Sequence, residues 1–351
     1  MNNNTRMKEE FLSSHNFLDY CRKCIISMIE YTDEKRLADQ PIKYKSNDDR
    51  VAYEDFCKNK DNNAEQWLME NGYKDVMYSF YYKQLFFSLL TDFSNYYKAS
   101  IEMAFNGNIN VAWALLRKPL QETLAYFEWL YVDKKELLGL MIEGKDVKAY
   151  EIMDKSLRKK RKEHIEKIQA KRGSGIIDMF EFRYSYKEAL TLNGILQATN
   201  HLITTKPALK TSPSGLNYVF LNDDIVNRNI GFYYTTIPYV MLYAMDIIMY
   251  IFEGIAGLGD YTGIVNHLNL WLRNLCAMRI TFEKAKELLA LDKISLYCPK
   301  CGKEHNSDKV WIDFSYDHFI CEHCRKKINT SQYIFDFEAV KVVNSEMDEN
   351  E

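Results

Sequence analysis

The chain has 351 residues, enough for one large domain or two ordinary ones. Hydrophobic residues make up 47% and aromatic residues 14%, so a sizeable core is possible, while only 14 Gly and 6 Pro favour long helices over a turn-rich β fold. The net charge of −3 excludes a chain that is polycationic throughout, so any surface for nucleic acid must be local.

The first 63 residues are predicted to form a helix and then a charged excursion. The N-terminus has no apolar signal core and the cysteines outside the C-terminal region are scattered, so we expect a reducing, cytoplasmic location. Residues 7–31 repeat apolar side chains near a 3.6-residue period, which indicates a helix. Cys21 and Cys24 lie in it, either as small apolar residues, which we favour, or as a redox or half metal site. The charged, broken segment 32–63 indicates an irregular surface region.

Two apolar helices are predicted next, over 74–105 and 109–131. Pro119 lies inside the second helix and removes one helical hydrogen-bond donor, so we expect a kink there. Arg117 and Glu122 flank this kink beside an apolar stripe. They form either an ion pair that holds the kink or part of a polar site, and both are therefore candidate catalytic residues.

Residues 133–172 are predicted to form a short helix and then a strongly charged one. The segment 155–172 holds nine Lys or Arg residues against two Glu residues. A solvated helix is the usual meaning of such a run, and the excess of positive charge makes phosphate contact the second interpretation. The candidate nucleic-acid-binding residues of this helix are Arg158, Lys159, Lys160, Arg161 and Lys162.

A polar loop follows a helix predicted over 176–204. Residues 200–222 contain two X-Pro units, paired Thr residues and Ser-Pro-Ser-Gly, which predict an ordered loop rich in hydrogen-bonding side chains. Binding residues are common on such loops, so the candidate ligand loop consists of Asn200, His201, Thr204, Thr205 and Lys206. His201 is also the third candidate catalytic residue, and a half-buried histidine at a helix end is the alternative.

The segment 232–252 is apolar apart from Asp246 and is about long enough to span a bilayer. Pro238, two adjacent Thr residues and the lack of flanking Lys or Arg clusters argue against a membrane span. We therefore interpret this segment as the buried central helix of the domain. A last amphipathic helix is predicted over 262–289.

Four cysteines near the C-terminus form the most specific motif in the chain. Cys298 and Cys301 make one Cys-x-x-Cys pair, Cys321 and Cys324 make a second, and nineteen residues separate the two pairs. This spacing predicts a closed tetrahedral shell of four thiolates around one structural Zn²⁺ ion. Because protein ligands fill all four positions, we expect the metal to stabilise the fold and not to catalyse hydrolysis.

Strand-like segments surround these cysteines, and the layout over 295–343 resembles the zinc-ribbon family. Gly302 after the first pair suits the backbone conformation of a metal-binding turn. Arg325 after the second pair departs from the family pattern, in which glycine is frequent at that position. The departure affects the expected geometry of the second turn and leaves the four metal ligands unchanged.

A basic edge is predicted beside the second cysteine pair, at Arg325, Lys326 and Lys327. Together with nearby aromatic residues these side chains suit contact with phosphates and stacking on bases. The aromatic residues in question are Trp311, Phe314 and Tyr316. The alternative is that they form the core of the ribbon itself and dock it on the helices.

These features predict an all-α multi-helix bundle with a small C-terminal β zinc ribbon. The helical domain covers 1–290, the ribbon 295–343, and an acidic, disordered tail 344–351. The sequence contains no phosphate-cradling glycine loop, nucleophile elbow or carboxylate cluster of a catalytic metal. We therefore expect a binding protein in preference to an enzyme.

The segment LLRKPLQETLAYFEWL and the later NHLITT loop resemble helical domains of uncharacterised bacterial proteins near the abortive-infection and HEPN-like groupings. This resemblance covers 110–250 at most. HEPN ribonucleases carry an Arg-x4–6-His motif that acts on the scissile phosphate, and Arg158 and His164 have that spacing here. The resemblance implies a role in bacterial antiviral defence or stress response.

Three functional hypotheses follow from these patterns. The first is a component that binds RNA, DNA or a partner protein through its basic segments and its ribbon. The second is a metal-independent ribonuclease or toxin that uses Arg117 or Arg158 with His201 or His164. The third is a membrane-associated effector that uses 232–252.

Overall fold

Helices dominate the described part of the chain. The computed structural model describes residues 9–60, 62–144, 146–172, 177–185, 191–205, 210–217, 223–289, 294–305, 318–329 and 334–337. The α-helices are α1 (Leu12–Lys35), α2 (Asn47–Lys58), α3 (Ala64–Glu70), α4 (Lys74–Phe105), α5 (Ile109–Leu115), α6 (Leu124–Ile142), α7 (Arg158–Arg172), α8 (Met179–Tyr184), α9 (Leu192–Asn200), α10 (Asp223–Ala256), α11 (Asp260–Ala277) and α12 (Phe282–Leu288). The strands are β1 (Ile294–Tyr297), β2 (Glu304–His305), β3 (His318–Ile320), β4 (Lys327–Asn329) and β5 (Ile334–Phe337). The predicted fold class, a helical bundle followed by a small β unit that carries four cysteines, is confirmed.

The central helix of the bundle is α10, which packs against α1, α4, α5, α6 and α11. Every residue from Val240 to Met249 is buried, as expected for a helix that other helices surround on all sides. By length and composition α10 is the one described helix that could cross a membrane, and 72% of its most apolar stretch is buried inside the protein. This burial agrees with the interpretation of 232–252 as a core helix.

The segment 32–63, predicted to be irregular, contains the helix α2. The side chain of Ser46 accepts a hydrogen bond from the N–H of Asp49, which caps the first turn of this helix. None of the side chains of α2 is fully buried. The prediction of an irregular segment is therefore wrong for Asn47–Lys58, a short surface helix within a charged stretch of sequence.

The single helix predicted over 176–204 is divided into α8 and α9. Ser185, the residue after α8, has an extended backbone, and the side chain of Thr191 accepts a hydrogen bond from Gly194 N–H to begin α9. The predicted single helix is therefore wrong, since α8 ends before Ser185 and α9 has its own N-cap at Thr191.

The kink expected at Pro119 is a π-helical turn, Lys118–Thr123, between α5 and α6. The N–H of Leu124 donates to the carbonyl of Pro119, five residues back, so the carbonyl of Leu120 loses the donor it would have in an α-helix. Arg183 supplies the missing donor, since its Nε lies 2.8 Å from the Leu120 oxygen. The widened turn therefore depends on a side chain from α8.

Arg183 is the centre of a buried polar network. Its guanidinium pairs with the carboxylate of Glu128, and these two side chains are 0% and 1% exposed. The Tyr243 hydroxyl donates to Glu128 at 2.8 Å, and the Tyr184 hydroxyl accepts from Arg183 and donates to the Gln121 carbonyl at 2.7 Å. Burial raises the pKa of Glu128, and the charge of Arg183 opposes that rise. The network joins the π-helical turn, α6, α8 and α10.

The β unit contains two small antiparallel sheets, in which β1 pairs with β2 and β5, and β3 pairs with β4. Its buried residues share one apolar cluster with α11 and α12. The members of this cluster are Leu272, Leu275, Cys276, Phe282, Ala285, Cys298, Cys321 and Ile328. The cysteine-bearing turns therefore pack directly on the last two helices.

We expect the substitution Arg183→Met to lower the free energy of unfolding by about 3 to 5 kcal/mol, because it leaves the Glu128 carboxylate buried without its cation. Urea unfolding followed by circular dichroism measures the change. Lys159→Met is the matched control, because that side chain is 89% exposed, and it should change stability by no more than about 0.5 kcal/mol. Equal stability of the two variants would contradict a structural role for the buried pair.

Candidate functional site

The four predicted metal ligands meet at one point of the β unit. The Sγ atoms of Cys298, Cys301, Cys321 and Cys324 all lie within 4.8 Å of one another. Two of the separations are 3.9 Å, between Cys298 and Cys324, and 4.0 Å, between Cys301 and Cys321. A tetrahedral shell with zinc–sulfur bonds of about 2.3 Å places its sulfurs about 3.8 Å apart. The cluster therefore fits a four-coordinate metal ion and could hold one.

The two cysteine turns have the same backbone structure. The N–H groups of Cys298 and Cys321 each donate to the carbonyl five residues later, at 2.9 and 3.0 Å. The residue after each pair adopts the left-handed conformation, with φ of 69° at Gly302 and 56° at Arg325. A non-glycine residue adopts it at a cost of about 1 to 2 kcal/mol. The arginine that departs from the zinc-ribbon pattern therefore preserves the turn, and metal binding can offset the strain.

Two of the four thiols, those of Cys321 and Cys301, have pKa values shifted in opposite directions. For Cys321, burial opposes ionisation, but hydrogen bonds from the backbone lower the pKa to about 7. For Cys301, the Lys303 N–H lowers the pKa, but desolvation and the three neighbouring thiols outweigh it and raise the pKa to about 11. A cation that offsets the repulsion is needed to hold four thiolates together, which is the chemistry of a structural metal site.

Five exposed basic side chains surround the cysteine cluster. They are Lys300, Lys303, Arg325, Lys326 and Lys327, which we call the basic rim. Within the described part of the chain, none of them forms an ion pair. Three of the five were predicted from the sequence, and the fold brings Lys300 and Lys303 beside them. Trp311, Phe314 and Tyr316, predicted to stack on bases, lie outside the described residues, as do Lys206 and the segment 344–351 that was predicted to be disordered.

The basic helix α7 exposes less charge than its sequence suggests. Arg161 is 5% exposed, and its guanidinium donates to the backbone carbonyls of Ile152 and Asp154. Lys160 lies 2.6 Å from the carboxylate of Glu136. We therefore exclude Arg161 and Lys160 from the surface predicted to contact phosphate, because their charges are used within the protein.

The other predicted basic residues of α7 are at the surface. Lys159 and Lys162 are exposed and lie 3.5 and 3.7 Å from glutamates one turn later in the helix. The guanidinium of Arg158 lies over the Phe180 ring and donates to the Tyr184 carbonyl at 3.3 Å. Each of these three charges thus already has a neighbour that competes with a phosphate.

The three candidate catalytic residues do not form a common site in the described structure. Arg117 and Glu122 are half-buried near the π-helical turn, whereas His201 is exposed at the end of α9. No hydrogen bond, ion pair or ring contact joins either of the first two to His201 among the described residues. The ligand loop folds on itself: Asn217 Nδ2 donates to the His201 carbonyl at 2.8 Å, and Thr204 and Thr211 bond to each other. Asn200 and Thr205 are exposed beside it.

The Arg158 and His164 pair also fails to form a site. His164 is 5% exposed and lies against the Trp129 ring, and burial lowers the pKa of its imidazole to about 4. Arg158 is exposed, and its guanidinium lies over the Phe180 ring. A neutral, buried imidazole on the inner side of α7 cannot reach a phosphate that a surface arginine holds.

A cluster of charged residues that the sequence analysis missed connects α7, α10 and α11. Arg172 makes two hydrogen bonds to Asp246, at 2.7 and 2.8 Å. His267 Nδ1 lies 2.6 Å from Asp246, and its Nε2 lies 3.2 Å from Glu253. The two carboxylates favour the charged imidazole, because they accept hydrogen bonds from both ring nitrogens, whereas the guanidinium of Arg172, 3.0 Å from Nδ1, opposes that charge. The available signal was Asp246, a charge inside an apolar helix, which requires a buried partner.

No protein-family model, no curated protein and no solved structure matches the chain.

We expect loss of one thiolate to release the metal and loosen the last two helices. Cys301→Ser should lose bound metal, measured by mass spectrometry of the elements, and hydrogen exchange should increase in α12 and the end of α11, which pack on the cysteine turns. Exchange in α10 should not change. Cys57→Ser, an exposed cysteine in α2, is the matched control and should keep its metal. Protection of α12 that survives loss of the metal would contradict this prediction.

We expect the His267 cluster to make stability depend on pH above neutrality. Burial would lower the pKa of His267, but its bonds to Asp246 and Glu253 outweigh burial and raise the pKa above 6.5. The stabilisation is thus complete below pH 6.5 and is lost as the pH rises through the raised pKa. Arg172 and His267 overcome burial and lower the pKa of Asp246, so the stabilisation by that carboxylate is lost only in acid.

Unfolding by urea at a series of pH values tests this linkage. Wild-type stability should fall as the pH rises from 6.5 through the raised pKa of His267. His267→Gln, which has no titrating ring, should be less stable at pH 6.5 and should lose stability less steeply than the wild type as the pH rises. Parallel curves for the two proteins would show that His267 is neutral in the native state.

Proposed function

We propose that this protein binds nucleic acid through the basic rim of its β unit, and that one Zn²⁺ ion in the four-cysteine cluster holds this surface in place. The observation that carries the proposal is the group of five exposed basic side chains around one metal-binding cluster. Exposed Lys and Arg side chains bind phosphates mainly by charge and release counterions, so a small group of them supports salt-dependent binding.

The metal ion would position the basic side chains and would take no part in catalysis. Four thiolates leave zinc no open coordination position, so the ion would act as a structural staple. Lys300 and Lys303 are in the first cysteine turn, and Arg325 and Lys326 are in the second. Because the four sulfurs hold the two turns together, they also bring together basic side chains that are more than twenty residues apart in the chain.

The basic rim is a better phosphate surface than α7. Its side chains are unpaired among the described residues, whereas Lys160, Lys159 and Lys162 lie beside glutamates. A phosphate that approaches α7 must displace those carboxylates, and one that approaches the rim meets no paired carboxylate among the described residues.

The ribonuclease hypothesis receives no support from the placement of its residues. His164 is buried and neutral, and His201 and Arg117 are not joined in the described structure. The role in bacterial defence or stress response rests on the sequence resemblance of 110–250 alone and stays a prediction, as does the cytoplasmic location.

Neutralising one lysine in each cysteine turn tests the proposal. We expect the double variant Lys300→Gln with Lys326→Gln to bind nucleic acid about tenfold or more weakly, and the slope of log K against log salt to fall by about 0.7 to 0.9 for each lost phosphate contact. Fluorescence anisotropy with labelled single-stranded RNA, single-stranded DNA and duplex DNA measures both quantities. The variant should retain its metal, since neither side chain touches the sulfurs.

The matched control removes the same charge from another exposed surface. Lys159→Gln with Lys162→Gln on α7 should leave affinity and salt slope close to those of the wild type. Equal effects of the two double variants would point to overall charge and overturn the proposal, as would a wild-type protein that binds none of the three probes. Intact RNA after incubation with the protein would also agree with binding without cleavage.

A further inference from the structure

Three metal-binding side chains form a second group next to the cysteine cluster. One ligand atom from each of His305, Glu322 and His323 lies within 4.8 Å of the others. The centroids of the two imidazole rings are 5.4 Å apart. The three residues come from two segments of the chain. His305 is in β2, and Glu322 and His323 lie between Cys321 and Cys324.

The backbone holds each donor in place. His305 is 6% exposed, and β2 pairs His305 with Leu296 of β1. Glu322 and His323 occupy the x-x positions between Cys321 and Cys324, in the turn that the cysteine N–H bonds shape. All three donors are therefore on segments whose positions the cysteine cluster determines.

The imidazole of His323 also has a contact typical of metal-binding histidines, and that of His305 lies against the first site. His323 Nε2 lies 3.2 Å from the backbone carbonyl of Glu304, and contacts of this kind orient metal-binding imidazoles. His305 Nε2 lies 3.5 Å from the Sγ atom of Cys321, so the second group directly adjoins the first.

The donor set is that of an open zinc site. An imidazole is a borderline ligand and a carboxylate is a hard ligand. A set of two imidazoles and one carboxylate suits Zn²⁺ and related divalent transition metals. Three protein ligands leave at least one position for water or an anionic oxygen, in contrast to the closed shell of four thiolates. Glu322 and His323 are exposed, so solvent has access to that position.

We propose that His305, Glu322 and His323 bind a second divalent transition-metal ion, of the zinc class, beside the four-cysteine site. The two sites fill in order, because the first ion holds together the two cysteine turns that carry the ligands of the second. The second site has an open coordination position and the first has none. This inference does not depend on nucleic-acid binding, since it concerns metal content alone.

The test is the metal content of the full-length protein at buffered micromolar free zinc. The wild type should hold about two zinc ions per chain, and His323→Ala should hold about one. His318→Ala is the matched control: this exposed histidine is in the neighbouring strand β3 and outside the group, and the variant should keep about two ions. Glu322→Gln provides a second ligand variant that keeps the shape of the side chain.

Cobalt spectroscopy distinguishes the two sites. The first equivalent of Co²⁺ should give the strong thiolate-to-metal charge-transfer band, and the second should add only weak ligand-field bands. His323→Ala and Glu322→Gln should lose the second set and retain the first, which also shows that the variants are folded. Cys301→Ser should lose both, because the second site depends on the first.

Three results would overturn the proposal. One is a single zinc ion per wild-type chain at micromolar free zinc. Another is a second ion that His323→Ala and Glu322→Gln both retain. The third is a second ion that the control His318→Ala loses as readily as the ligand variants, which would identify nonspecific binding to surface histidines.

Discussion

The buried pair between Arg183 and Glu128 is the interaction on which the helical bundle depends most. Pro119 forces a π-helical turn, which leaves a backbone carbonyl without its donor in a region closed to water. Arg183 satisfies that carbonyl, and Glu128 neutralises the guanidinium, so three helices and the turn are joined through one polar centre. Because each partner is buried, neither charge can be removed alone without a large cost. The pair therefore ties α8 to α6 and to the π-helical turn.

A second polar centre works by the same rule one turn further along α10. Asp246 would be costly in an apolar helix, and Arg172 and His267 provide the opposite charges. The difference is that the imidazole of His267, whose pKa is raised by its carboxylate partners, loses its proton as the pH rises, and the guanidinium of Arg183 does not. One centre is therefore a permanent part of the core, while the strength of the other follows the protonation of a single imidazole.

The β unit is too small to fold on a hydrophobic core of its own. It places Cys298 and Cys321 in an apolar cluster with α11 and α12, so its stability comes from the metal and from the helices together. The exposed side chains of the basic rim are left on the outside of the two cysteine turns. A metal ion at the four sulfurs would hold the two turns together and with them the proposed binding surface, and the proposed site at His305, Glu322 and His323 would add different chemistry beside it.

Local patterns in the sequence determined the helical class, the central helix and the four sulfur ligands, because the helical period and the Cys-x-x-Cys spacing act over a few residues. Pro119 likewise predicted a break, although its form as a π-helical turn depends on a donor from α8. Tertiary structure alone decided which charges are available. Arg161 and His164 belong to a basic segment in sequence and to the core in the fold, while Lys300 joins the basic rim only when the two cysteine turns meet. Such pairings link residues far apart in the chain, and packing determines them where local preference does not.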